Sequence, residues 1–130
     1  MPAGYHSLTP YLAVAHAARA IDFYRTAFGA EQISRMDSPD GGVMFAVLRI
    51  GDSNFELGEP SPEFGTVAPN GQGVSSSVMI YCADVDAMFD GALEAGAAVV
   101  TPLTDLPSGD RYGTVDDAFG HRWSIATRIG

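Results

Sequence analysis

Apolar and polar positions along the chain run through one order of elements twice. Residues Ser7–Val14 form an apolar stretch that predicts a strand. His16–Phe28 then carries Ala20, Ile21, Tyr24, Ala27 and Phe28 at helical spacing, and Gly29 supplies a stop. Three predicted strands follow, Glu31–Asp37, Val43–Ile50 and Ser53–Gly58, parted by the turn residues Pro39 to Gly42 and Gly51-Asp52. The second half opens on a predicted strand, Val74–Cys82. Asp84 then caps a helix, Val85–Ala95, whose Val85, Met88, Phe89, Ala92 and Leu93 share one face, and Gly96 ends it. Strands over Ala97–Pro102, Gly113–Asp116 and Arg122–Thr127 complete the set. The helix stops align FGAEQI (28–33) with AGAAVV (95–100), and further on IGDSNFEL (50–57) aligns with FGHRWSI (119–125).

This pattern predicts an α+β fold of two βαβββ modules, about residues 5–59 and 74–130, that curl a mixed sheet around a pocket. Between them, residues 60–73 hold three prolines and three glycines and read as a linker or lid. A module of about 55 residues is marginal alone, so the halves share a core or exchange partners in a homodimer.

Strand alternation sorts the faces. Leu8, Leu12, Val14, Phe55, Leu57, Val78, Ile80, Cys82, Trp123 and Ile125 are expected beneath the helices. Thr9, Tyr11, Asn54, Glu56, Ser75, Ser77, Met79, Tyr81, Arg122, Ser124 and Ala126 fall on the opposite faces, which mix hydroxyls with aromatic and small residues. Such faces line a pocket if the sheet curls, or meet solvent if it does not.

Composition narrows the chemistry. The 130 residues include 16 acidic and 7 basic ones, a formal charge of −9, and every basic residue is arginine. Without lysine there is no Schiff base, no Walker-type phosphate loop and no lysine base. The acidic balance argues against a nucleic-acid partner. A single cysteine, Cys82, excludes an intrachain disulfide and a cysteine-rich metal site. No apolar run reaches the roughly 20 residues of a membrane helix, and MPAGYHSLTP lacks the pattern of a signal peptide, so a cytoplasmic protein is expected.

The duplicated order, the segment TPYLAVAHAARAIDFYRTAFGAE (9–31) and the ending GDRYGTVDDAFGHRWSIAT (109–127) resemble the vicinal oxygen chelate superfamily of glyoxalase I, bleomycin resistance proteins and extradiol dioxygenases. The ending resembles its PhnB-like branch most. The resemblance implies one metal ligand from each of the first, fourth, fifth and eighth strands, usually His or Glu. Those positions fall on Thr9, Glu56, Ser77 and Ser124. One carboxylate and three hydroxyls make a poor transition-metal site, so no cofactor is predicted and only a weakly held divalent metal is left open. His6, His16 and His121 form no chelating pair with one another.

Glu56 is the candidate general base, with a salt bridge to an inward arginine such as Arg122, or hydrogen bonds to the neighbouring hydroxyls, as the structural alternative. Arg111, in the GDR segment, is expected either to close over the pocket as a cation or to fix a turn with Asp110. Tyr11, Met79, Tyr81 and Phe64 offer stacking surface, and Asp116-Asp117 point to opposite faces and form no dyad. Two functions follow: a homodimeric, metal-free binder of a small organic molecule, or a lyase or isomerase acting on a small carbonyl compound through Glu56. An inactive paralogue acting by association is the third.

Overall fold

The computed structural model describes all 130 residues, as two helices and two four-stranded sheets. The first half comprises β1 (Tyr11–Ala13), α1 (Ala17–Phe28), β2 (Glu31–Asp37), β3 (Val43–Ile50) and β4 (Ser53–Gly58). The second comprises β5 (Val78–Tyr81), α2 (Val85–Glu94), β6 (Ala98–Asp105), β7 (Asp110–Asp116) and β8 (Arg122–Arg128). The sheets have the same order, β1-β4-β3-β2 and β5-β8-β7-β6, each with one parallel pair beside antiparallel ones. The expected α+β duplication is therefore present, with the two sheets hydrogen-bonded separately. No helix is long and apolar enough to cross a membrane.

Three strands, β2, β3 and β4, begin and end where the turn residues place them. The opening strands of both halves are shorter than expected. β1 keeps three residues because Pro10 stands before it and lacks an N–H for a ladder. Leu8, expected under the helix, is 88% exposed there. β6 and β7 are longer than expected. β6 runs through Pro102, which its place at the sheet edge tolerates, and β7 starts at Asp110, which moves the GDR residues out of a loop.

Both halves bury their helix-side faces in one apolar core that includes Leu12, Ile21, Phe55, Leu57, Ile80, Phe89 and Ile125. Trp123 of β8 lies at its centre, with ring centroids 5.0 Å from Phe28, 5.2 Å from Tyr24 and 5.6 Å from Phe55, all from the first half. Such aromatic contacts each add about 0.5–1.5 kcal/mol beyond burial.

A buried carboxylate locks this junction. Asp117, in the turn between β7 and β8, accepts the Tyr24 phenol at 2.5 Å and Trp123 Nε1 at 2.9 Å through Oδ2. Its Oδ1 accepts the backbone N–H groups of Phe119 and His121, both at 2.9 Å. One acid thus joins the first helix, the last turn and the core indole. Burial, reinforced by the Asp117 charge, pushes the Tyr24 phenol well above the usual tyrosine range.

Helix α1 starts in an unusual way. His16 adopts a left-handed conformation (φ 59°) and its side chain caps nothing. The cap comes instead from Glu59, just past β4, whose Oε1 accepts His16 N–H at 3.1 Å and whose Oε2 accepts Ala17 N–H at 2.7 Å. A carboxylate there also complements the positive end of the helix dipole.

Candidate functional site

The residues opposite the core form two inner faces, one on each sheet. On the first, β1 and β4 run parallel with Tyr11 beside Glu56. Glu56 does not reach Arg122, the partner considered from sequence. Its Oε2 accepts the phenol of Tyr5 at 2.9 Å. Tyr5 belongs to an amino-terminal strap laid across this sheet. Gly4 O accepts Asn54 N–H at 2.7 Å, while Ala3 O accepts Arg49 Nη2 at 3.1 Å and Asn54 Nδ2 at 3.2 Å. The strap explains why Asn54, on an inner face, is only 4% exposed. Gly4 is required at this crossing: its φ is +78°, and an added Cβ would stand 2.2 Å from Asn54 Oδ1. Thr9 lies just before β1, half-buried.

Desolvation, and then the charge of Glu56, raise the Tyr11 phenol above the ordinary tyrosine value. The Glu56 hydrogen bond is the main cause of the same shift at Tyr5. Glu56 is thus a carboxylate between two phenols. Sequence reasoning missed Tyr5, because no periodic signal ties residues 1–6 to a strand fifty positions away.

On the second inner face, Met79 pairs with Ser124 and Tyr81 with Ala126. Met79 and Tyr81 are exposed, and Ser77 is exposed just before β5. The Ser124 hydroxyl shares a 3.0 Å hydrogen bond with Thr114, which donates at 3.0 Å to the Tyr112 phenol. Tyr81 donates to the buried Asp110 at 2.7 Å, an interaction that raises its phenol. Arg122 lies on this face as expected, but its guanidinium is held by Asp116 across the strand pair at 2.8 Å. No hydrogen bond or ion pair joins this face to Tyr5, Tyr11 or Glu56.

Arg111 does not close over a pocket. In β7 it shares the helix side with Gly113 and Val115, and there it pairs with Asp86 of α2 at 2.9 Å and Asp105 of β6 at 3.0 Å. Nor does it fix a turn with Asp110. The Arg111 hydrogen bonds hold Asp86 below the usual carboxylate range. A lowered folded value contributes stability that is present above the ordinary carboxylate pKa, about 3.9, and lost as pH falls through the folded value. Arg111→Ala is therefore expected to lower thermal stability by a constant margin above about pH 5, a margin that narrows below about pH 4. Melting curves across that range test it, and a margin that widens in acid contradicts it.

The four family positions do not assemble a metal site. Thr9 and Ser77 lie outside their strands, Ser124 is bonded to Thr114, and Glu56 is engaged by Tyr5. Three hydroxyls and a single carboxylate, one of whose oxygens accepts the Tyr5 phenol, do not fit zinc, nickel or iron. No cluster of three or more His, Cys, Asp or Glu with ligating geometry occurs elsewhere. His121 Nε2 lies 2.9 Å from Ala13 O, and His6 rests against Asp52.

A cavity of about 620 Å³ opens instead at the far end of the first inner face, beneath the segment after β4. Tyr11, Met44, Phe45 and Phe64 give it apolar walls, and Ser38, Asp40, Glu59, Ser61 and Thr66 add polar groups. Tyr11 leans over Gly58, where an added Cβ would come within 2.8 Å of the phenol oxygen and 2.4 Å of Met44 O. Of these residues, sequence reasoning had picked out only Tyr11 and Phe64 as stacking surface. The signal for Asp40 was its turn, and nothing local marked Glu59.

A sequence profile of the Glyoxalase/Bleomycin resistance protein/Dioxygenase superfamily matches residues 5–125. The uncharacterized protein Mb0911c of Mycobacterium bovis is 43% identical over 127 residues, covering 95% of this chain and 84% of that protein. The crystal structure of TioX from Micromonospora sp. ML1 superposes with a TM-score of 0.75 at 30% identity, over 94% of this chain and 95% of that one. A putative 3-demethylubiquinone-9 3-methyltransferase, PhnB protein, from Bacillus cereus shares the fold, with a TM-score of 0.71 at 21% identity over 94% and 99% of the two chains.

Proposed function

Because the chain belongs to the glyoxalase/bleomycin resistance protein/dioxygenase superfamily, we propose that it binds a small organic molecule on its inner sheet faces, as a homodimer and without a tightly held transition metal. The observation that carries this reading is the contrast at the first sheet. Glu56, the one ligand-type side chain, is engaged by Tyr5, whereas the cavity beside Tyr11 has a volume in the range of small-molecule sites. The chain's own groups serve binding: aromatic rings supply contact area, and hydroxyls and carboxylates orient polar atoms.

Assembly is supported by what the inner faces expose. Tyr11, Met79 and Tyr81 are 44%, 45% and 61% exposed, and β1 and β5 each leave one edge unpaired. A second copy gives such faces and edges a self-complementary cover. The lyase or isomerase reading is weaker, because the Tyr5 phenol takes Oε2 and leaves Oε1 alone as a base, with no histidine or second carboxylate hydrogen-bonded to Glu56.

Native mass spectrometry of protein purified without chelators reads both points together. The expected species has twice the chain mass of 13.7 kDa and carries no metal adduct. One transition-metal ion per chain overturns the metal-free reading, and a monomer overturns the dimer.

A further inference from the structure

We infer that the cavity beside Tyr11 selects an organic cation with an aromatic or apolar body. The inference rests on the small-molecule reading above and names the ligand class. The cavity walls contain two carboxylates, Asp40 and Glu59, and no Arg or His. Neither acid forms an ion pair with any cationic side chain. The two converge on Gly42, where an added Cβ would stand 3.3 Å from Asp40 Oδ1 and 3.4 Å from Glu59 Cγ.

Their bonding leaves them unequal. Glu59 spends both oxygens on the N–H groups of His16 and Ala17 at the start of α1, so the helix end partly offsets its charge. Asp40 uses only Oδ1, which accepts the Ser38 hydroxyl and Gly42 N–H at 3.0 Å. Its Oδ2 has no hydrogen-bond partner in the protein, which leaves a free acceptor on a residue that lines the cavity. Those bonds to Oδ1 also hold Asp40 below the usual carboxylate range, so it is ionised at neutral pH.

The aromatic side completes the match. Phe64 sits on a single 3₁₀ turn, Pro62–Phe64, and is 79% exposed with no ring stacked against it. It and Tyr11 both border the same cavity as the two acids. Ring faces attract cations, and a carboxylate at the rim sets the sign of the charge that is admitted. Arg19 and His16 border an adjoining cleft that shares the two acids, but neither lines this cavity, so an anion here meets carboxylates and no guanidinium.

Isothermal titration with three compounds of similar body tests this: benzyltrimethylammonium, benzyl alcohol and phenylacetate. The cation is expected to bind at least about tenfold more tightly than the alcohol, and phenylacetate is expected not to bind. Asp40→Asn keeps the Oδ1 acceptor and is expected to weaken the cation about fivefold, with a smaller loss at high salt. Phe64→Ala, at an exposed position, is expected to weaken it about fivefold with the melting temperature unchanged. If the alcohol or phenylacetate binds as well as the cation and Phe64→Ala still weakens binding, the cation is wrong while the small-molecule site stands. Binding that ignores both substitutions, or no binding by any of the three, overturns the cavity as a ligand site as well.

Discussion

Asp117→Ala is expected to lower the folding free energy by about 4 kcal/mol, a large share of the roughly 5–15 kcal/mol of a typical domain. The substitution leaves four donors without their acceptor: the Tyr24 phenol, Trp123 Nε1 and the N–H groups of Phe119 and His121. Each buried donor left unpaired costs about 1–3 kcal/mol, and partial relaxation of the turn keeps the total below the simple sum. Asp117→Asn retains an oxygen and turns donor toward donor at the other atom, so about 2 kcal/mol is expected. Urea unfolding followed by Trp123 fluorescence measures both. A loss under about 1 kcal/mol for the alanine variant would show that the acid is not what joins the halves.

Gly58→Ala is the second large effect, about 2–3 kcal/mol, and it links the fold to the site. The backbone at Gly58 carries no special φ, so strain is not the cause. A methyl group there would meet Met44 O at 2.4 Å and the Tyr11 phenol oxygen at 2.8 Å. The first contact is with backbone across the β3–β4 pair, and the second is with a cavity wall. The expected result is a lower melting temperature together with loss of benzyltrimethylammonium binding. A variant that melts like the parent chain and binds normally shows that the two strands part without cost.

Much of the scaffold is legible in the sequence because its signals are local. β2, β3 and β4 are bounded by Pro, Gly and Asp turns, and alternation places Phe55, Leu57, Trp123 and Ile125 beneath the helices. The site is less legible because its decisive contacts are remote. Tyr5 meets Glu56 across the sheet, and Glu59 closes a helix that began forty-two residues earlier. Arg111 was misplaced because Gly113 conceals the alternation of β7. On the helix side that glycine has no side chain, and Phe89 fills the space, with Cε2 only 2.7 Å from where a Cβ would stand. The Asx-type bonds of Asp117 to Phe119 and His121 lie within the DDAFGH segment, whereas its bond to Tyr24 spans ninety-three residues.

Two of the four edge strands, β2 and β6, bear on how the protein behaves in a crowded solution. Each is exposed along nearly its whole length, the usual setting for fibre-like association of strands. Each is also interrupted twice: the pairing shifts between Gln32 and Ser34 and again between Met36 and Asp37, then between Val99 and Thr101 and between Thr101 and Thr104. Charged Glu31, Arg35 and Asp37 line one edge, and Pro102 withholds a donor from the other. A foreign strand therefore finds no straight template along either rim, which leaves the edges at β1 and β5 as the unprotected ones, where the proposed second copy would pair.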